Sequence, residues 1–102
     1  MQTTVSARHC EVSSELRERV EAVANRFARH SPHALEATAV FDVGPDAHLV
    51  ELRLHVRGGQ VLVGQGDGPD HRTALDRAEE KLFRQLDRAS ENWRNHRPTK
   101  RP

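Results

Sequence analysis

Between Ser13 and His30 the apolar positions Leu16, Val20, Val23 and Phe27 recur at spacings of four, three and four, forming one stripe along a helix. Ser13 can cap this helix, Glu15 in the first turn suits its dipole, and Ser31-Pro32 ends it. The pattern then changes period. Leu35, Ala37, Ala39, Phe41 and Val43 fall on alternate positions, Gly44-Pro45-Asp46 makes a turn, and Val50, Leu52, Leu54 and Val56 alternate with Glu51, Arg53, His55 and Arg57. Two antiparallel strands follow from this alternation. Arg57-Gly58-Gly59-Gln60 then reads as a tight hairpin with a two-residue glycine loop, leading into a further strand at Val61-Leu62-Val63. Ahead of the first helix, Thr3, Val5 and Ala7 share one face of a short strand over residues 2–7. A long second helix opens at Pro69-Asp70 and carries Leu75, Ala78, Leu82, Leu86, Ala89 and Trp93 at spacings of three and four. The predicted order is strand, helix, three strands, helix, an α+β arrangement.

Length and composition narrow what such elements can build. A chain of 102 residues holds one domain, and with 35% hydrophobic but only 4% aromatic residues its core is aliphatic. No apolar run approaches the ~18 residues that would span a membrane, and the N-terminus lacks the pattern of a secretion signal, so a cytoplasmic protein is expected. The single cysteine, Cys10, excludes an internal disulfide.

The formal net charge of +1 conceals an uneven distribution. Residues 1–30 carry five Arg against four Glu, residues 31–69 two Arg against five acids, and residues 70–102 nine Arg or Lys against six acids. Positive charge therefore gathers toward the C-terminal end. Within the second helix, at about 100° per residue, Arg77, Lys81, Arg84 and Arg88 fall in a wedge of roughly 60° centred some 130° from the apolar stripe. Such a ridge can follow a phosphate backbone, each cation meeting a different phosphate and releasing a counterion. The blander reading is a solvated face, since Asp76, Glu79, Glu80 and Asp87 are interleaved with these cations. Arg26 and Arg29, on the flank of the first helix's apolar stripe, are secondary candidates for RNA contact. Arg94 and Arg97 belong to a stretch from Arg94 to Pro102 that contains no acid. This stretch is expected to be a flexible basic tail following a single domain over residues 1–93.

Several stretches resemble a known family. Met1-Gln2, Val12-Ser13-Ser14-Glu15-Leu16-Arg17-Glu18, His55-Val56-Arg57-Gly58-Gly59, and Ala74-Leu75-Asp76 followed by Lys81-Leu82-Phe83-Arg84-Gln85-Leu86 stand in the order found in the hibernation-promoting factor and ribosome-associated inhibitor family, also called sigma-54 modulation proteins. The resemblance runs over residues 1–93. It implies a β-α-β-β-β-α fold similar to a double-stranded-RNA-binding domain, with a four-stranded sheet and both helices on one face. It also implies a protein that binds 16S rRNA in the decoding region of the small ribosomal subunit, blocks the tRNA and mRNA sites, and idles translation under starvation. Members with a C-terminal dimerisation domain pair ribosomes by themselves. A chain of this length looks like the short class, acting beside a separate ribosome-modulating factor or on single ribosomes, and is expected to be a monomer off the ribosome. The sequence departs from the family at Arg72, where relatives often carry Tyr, at Val23, where Lys is common, and in a longer, glycine-richer segment over residues 64–69.

Other chemistries are weaker readings of the same residues. His30 and His33 straddle Pro32 and have no cysteine or carboxylate cluster to complete a metal site. His9 and Cys10 are adjacent in an extended segment and point opposite ways, which argues against a nucleophile and its base. Gly64-x-Gly66-x-Gly68 lacks the spacing and the lysine of a phosphate loop, and reads instead as a flexible, bulged strand end. No catalytic residue, metal or cofactor is expected. The alternative function is a protein-binding adaptor or transcription modulator that uses the strand face Glu51, Arg53, His55 and Arg57.

Overall fold

A computed structural model describes residues 1–95, with side chains described as far as Trp93. The elements are β1 (Gln2–Ala7), α1 (Ser14–His30), β2 (Ala34–Val43), β3 (His48–Val56), β4 (Val61–Gly68) and α2 (His71–Asn95). The strands form one sheet in sequence order, with β1 parallel to β2 and the other pairs antiparallel. The parallel pair needs a crossover, and α1 supplies it.

Both helices cover one face of the sheet. The core is Val20, Val23, Ala24 and Phe27 of α1, Ala37, Ala39 and Phe41 of β2, alternate residues Val50 to Val56 of β3, Leu62 of β4, and Ala74, Leu75, Ala78, Leu82, Leu86 and Ala89 of α2. This is the β-α-β-β-β-α architecture expected from the alternating and helical spacings.

The local signals account for the helix ends. Ser13 caps α1 by accepting from the Leu16 N–H at 3.1 Å, and Asp70 caps α2 by accepting from the Thr73 N–H at 2.7 Å. The bond to Thr73 holds the Asp70 carboxyl below the usual carboxylate range. A depressed folded-state value contributes stability above the ordinary carboxylate range, lost as pH falls through the folded value. Asp70→Asn keeps an acceptor for Thr73 but removes the titration. Melting curves from neutral to acid pH should show a smaller acid loss in Asp70→Asn than in the parent protein; identical profiles would refute the role.

Three sequence expectations need correction. Leu35 and Val43 were expected to face the core with Ala37, Ala39 and Phe41, yet they are 50% and 40% exposed. The β2–β3 register shifts between Ala34 and Glu36, which takes Leu35 out of the alternation, and Val43 ends its strand beside the turn. The hairpin loop has three residues rather than two. Val56 N–H still bonds the Gln60 carbonyl at 3.0 Å, so Arg57, Gly58 and Gly59 make the turn, with positive φ at both glycines.

The third correction concerns residues 64–68, which are neither bulged nor a loose end. They continue β4 in unbroken register with β3, from His55↔Val61 to His48↔Gly68. The glycines face α2. A Cβ on Gly66 would lie 2.2 Å from the Ala74 carbonyl oxygen and 2.6 Å from Ala78 N, and one on Gly64 would lie 2.6 Å from the Ala78 carbonyl oxygen. Side chains are missing there so that the helix backbone can lie directly on the strand.

Candidate nucleic-acid interface

Packing sorts the charges of α2 into two flanks. On the flank facing α1, Asp76 lies 3.6 Å from Arg19, Glu79 takes two bonds from the Arg26 guanidinium at 2.6 and 2.9 Å, and Asp87 meets His30 at 2.6 Å. Phe83 lies among these pairs, its ring 4.5 Å from that of Phe27 and 5.2 Å from that of His30. Three of the four acids interleaved with the cations are thus turned toward α1, Asp76 and Glu79 to arginines and Asp87 to a histidine.

The cations occupy the other flank. Arg77, Lys81, Arg84 and Arg88 are all exposed, and the eleven residues from first to last span ~16 Å at 1.5 Å per residue. Contacts with β4 show where this flank lies. Arg77 donates to the Asp67 carbonyl at 2.7 Å, and the Gln85 amide accepts from the Val63 N–H at 3.3 Å while donating to the Val63 carbonyl. The ridge therefore runs along the outer edge strand, away from α1, and side chains of α2 partly satisfy that strand's outward backbone groups. Arg84 pairs with Glu80 at 3.1 Å, but both side chains are 66% exposed, so water and salt screen the pair. Lys81 and Arg88 have no acidic partner among the described residues.

The secondary candidates divide. Arg26 is on the opposite flank of α2 from the ridge, and its guanidinium is committed to Glu79, whose side chain is only 13% exposed. Arg29 is exposed on α1 without an acidic partner among the described residues. Arg94 and Arg97 lie outside the residues whose side chains are described.

The open face of the sheet carries the alternative set. Glu51 accepts from Gln65 at 3.0 Å and from Arg53, and these two contacts, Gln65 first, hold its carboxyl below the usual range. Arg53 is thereby internally matched. Arg57 is not on this strand face: it sits in the hairpin loop, its N–H donating to the His33 carbonyl at 2.9 Å. The two histidines considered for a metal site have separate partners, His30 with Asp87 and His33 against Trp93. Sequence reasoning missed Gln85 as the clamp on β4 and His33 as a ring partner, because both contacts join segments distant along the chain.

Comparison with known proteins places this architecture. The model for the sigma 54 modulation protein / S30EA ribosomal protein family matches residues 3–94. The chain belongs to this family. A ribosome hibernation promoting factor of Azotobacter vinelandii is 29% identical over 102 residues, covering 100% of this chain and 94% of the relative. Its counterpart in Escherichia coli strain K12 is 27% identical over 96 residues, 94% of this chain and 100% of the relative. Among solved structures, a ribosomal subunit interface protein from Coxiella burnetii superposes with a TM-score of 0.81 at 19% identity, covering 89% of this chain and 99% of the other. The N-terminal domain of Thermus thermophilus Protein Y gives 0.76 at 24% identity, with 86% and 98% covered. At these identities the structures establish a shared fold. The ridge of this chain stands on α2, within the matched residues.

Proposed function

We propose that this protein is a ribosome hibernation factor that binds 16S rRNA on the small subunit near the decoding region, occupies the tRNA and mRNA sites, and idles translation without performing chemistry. The observation that carries this reading is the sorting of charge on α2. With Glu79 paired to Arg26, and Asp76 and Asp87 turned toward α1, the flank bearing Arg77, Lys81, Arg84 and Arg88 is rich in positive charge. A row of cations on a rigid helix suits a polyanion whose charges are also in a row, and gains from counterion release. The relatives' names, ribosome hibernation promoting factor and ribosomal subunit interface protein, support a ribosomal partner and a cytoplasmic location. No helix among the described residues is long and apolar enough to cross a membrane.

The protein should cosediment with isolated small subunits and with whole ribosomes at low salt, dissociate as salt rises, and inhibit translation in a cell-free system. Binding confined to large subunits would refute the reading, as would full retention of binding at high salt. A protein-binding adaptor using the Glu51, Arg53 and His55 face would give that second result, since apolar protein interfaces release few counterions.

A further inference from the structure

A groove runs beside the C-terminal half of the ridge. It lies between α2 and the start of β4, and is lined by Gln60, Leu62, Gln85, Arg88, Ala89, Asn92 and Trp93. Its volume is about 320 Å³, at the small end of ligand-sized pockets. Leu62 and Ala89, both in the core, form an apolar floor, while Gln60 brings an amide group to the lining. Trp93 is half-buried, and the His33 ring packs against it at a centroid distance of 4.5 Å, tilted by 48°. His33 is itself held by its backbone, which donates to the Ser31 hydroxyl at 3.2 Å. The indole is therefore braced. Arg88 belongs to the groove and to the ridge at once.

We infer that this groove receives an unpaired nucleotide of the bound RNA, its base stacked against Trp93 and its phosphate against Arg88. Three features of the site match what an unstacked nucleotide presents. A flat apolar ring matches the base's faces, the Gln60 amide can meet its polar edge, and a cation continuous with the ridge can meet its phosphate. Duplex RNA keeps its bases stacked inside the helix, so the groove selects single-stranded or bulged RNA. This rests on the proposed function, and deepens it by giving the contact surface two parts: a ridge that senses only charge, and a socket that senses an exposed base.

The two parts respond differently to salt, which makes the inference separable from the reading on which it rests. Stacking releases no counterions, so losing it should weaken affinity about equally at all salt concentrations and leave the slope of log affinity against log salt unchanged. Trp93→Leu preserves apolar cover but cannot stack, whereas Trp93→Phe can do both. Affinity of small subunits for Trp93→Leu should fall about tenfold, within the range for one stacked base, at an unchanged salt slope; Trp93→Phe should retain most of it. Trp93 is the only tryptophan in the chain, so its emission reports the groove directly without ribosomes. Oligouridylate and oligoadenylate single strands should quench it, and a duplex of the two should not. Wild-type affinity in Trp93→Leu, or emission that single strands leave unchanged, would overturn the inference even if the parent protein binds small subunits normally. Failure of the parent protein to bind small subunits would instead remove the functional reading itself.

Discussion

Gly66→Ala is expected to destabilise the protein by about 3 kcal/mol, the upper part of the usual range for overpacking, although it adds a single methyl group. The added Cβ would meet the Ala74 carbonyl oxygen at 2.2 Å and Ala78 N at 2.6 Å. Both are backbone atoms of α2, so no side-chain rotation relieves the clash, and the helix must lift off β4. Alanine's advantage over glycine inside a strand, roughly 0.5–1 kcal/mol, works the other way and is too small to compensate. Gly44→Ala is the control, because a Cβ there meets the Leu49 side chain at an ordinary 3.4 Å. Denaturant midpoints should separate the two variants. A Gly66→Ala protein unfolding at the parent midpoint would mean that α2 does not rest on the strand as closely as described. The same substitution should weaken ribosome binding in whatever fraction stays folded, since α2 carries the cations.

Lys81→Ala combined with Arg84→Ala should reduce the slope of log ribosome affinity against log salt by up to ~2 units, because each lost phosphate contact removes about 0.7–0.9. The fold should survive, since both side chains are exposed and the Arg84–Glu80 pair is solvent-screened. Stability and binding therefore part company in this variant. Arg26→Ala supplies the contrast. It leaves the mostly buried Glu79 carboxylate unmatched, so it should lower the melting temperature while changing the salt slope little. Arg53→Ala, on the open sheet face beside Glu51, should also leave the slope nearly intact. A double ridge variant with a native melting curve and an unchanged slope would show that these cations form only a solvated face.

Much of the molecule was legible before its structure. The 3.6-residue spacing of Leu16, Val20, Val23 and Phe27, and the alternation from Val50 to Val56, are local consequences of burying one side of a helix or strand. They gave the elements, their order and most of the core. The cap at Ser13 and the break at Ser31-Pro32 are equally local. The collinear motifs carried the family resemblance, later matched over residues 3–94. The angular wedge containing Arg77, Lys81, Arg84 and Arg88 followed from helix geometry alone.

Tertiary structure decided what that wedge is worth. In sequence the acids and bases of α2 alternate and nearly cancel. Only the approach of α1 draws Asp76, Glu79 and Asp87 to Arg19, Arg26 and His30, leaving the cations on the far flank. The same is true of Gly64 and Gly66, where periodicity is blind because glycine has no side chain to count and its role appears only when a helix backbone lies against it. Leu35 and Val43 failed for a related reason: a register shift and a strand end are set by the partner strand, not by the residues themselves. Sequence periodicity records which side of an element is buried. Which groups from another element arrive there, and which charges they meet, depends on contacts between separate elements, such as Arg26 with Glu79 across 53 positions of chain, that no local pattern encodes.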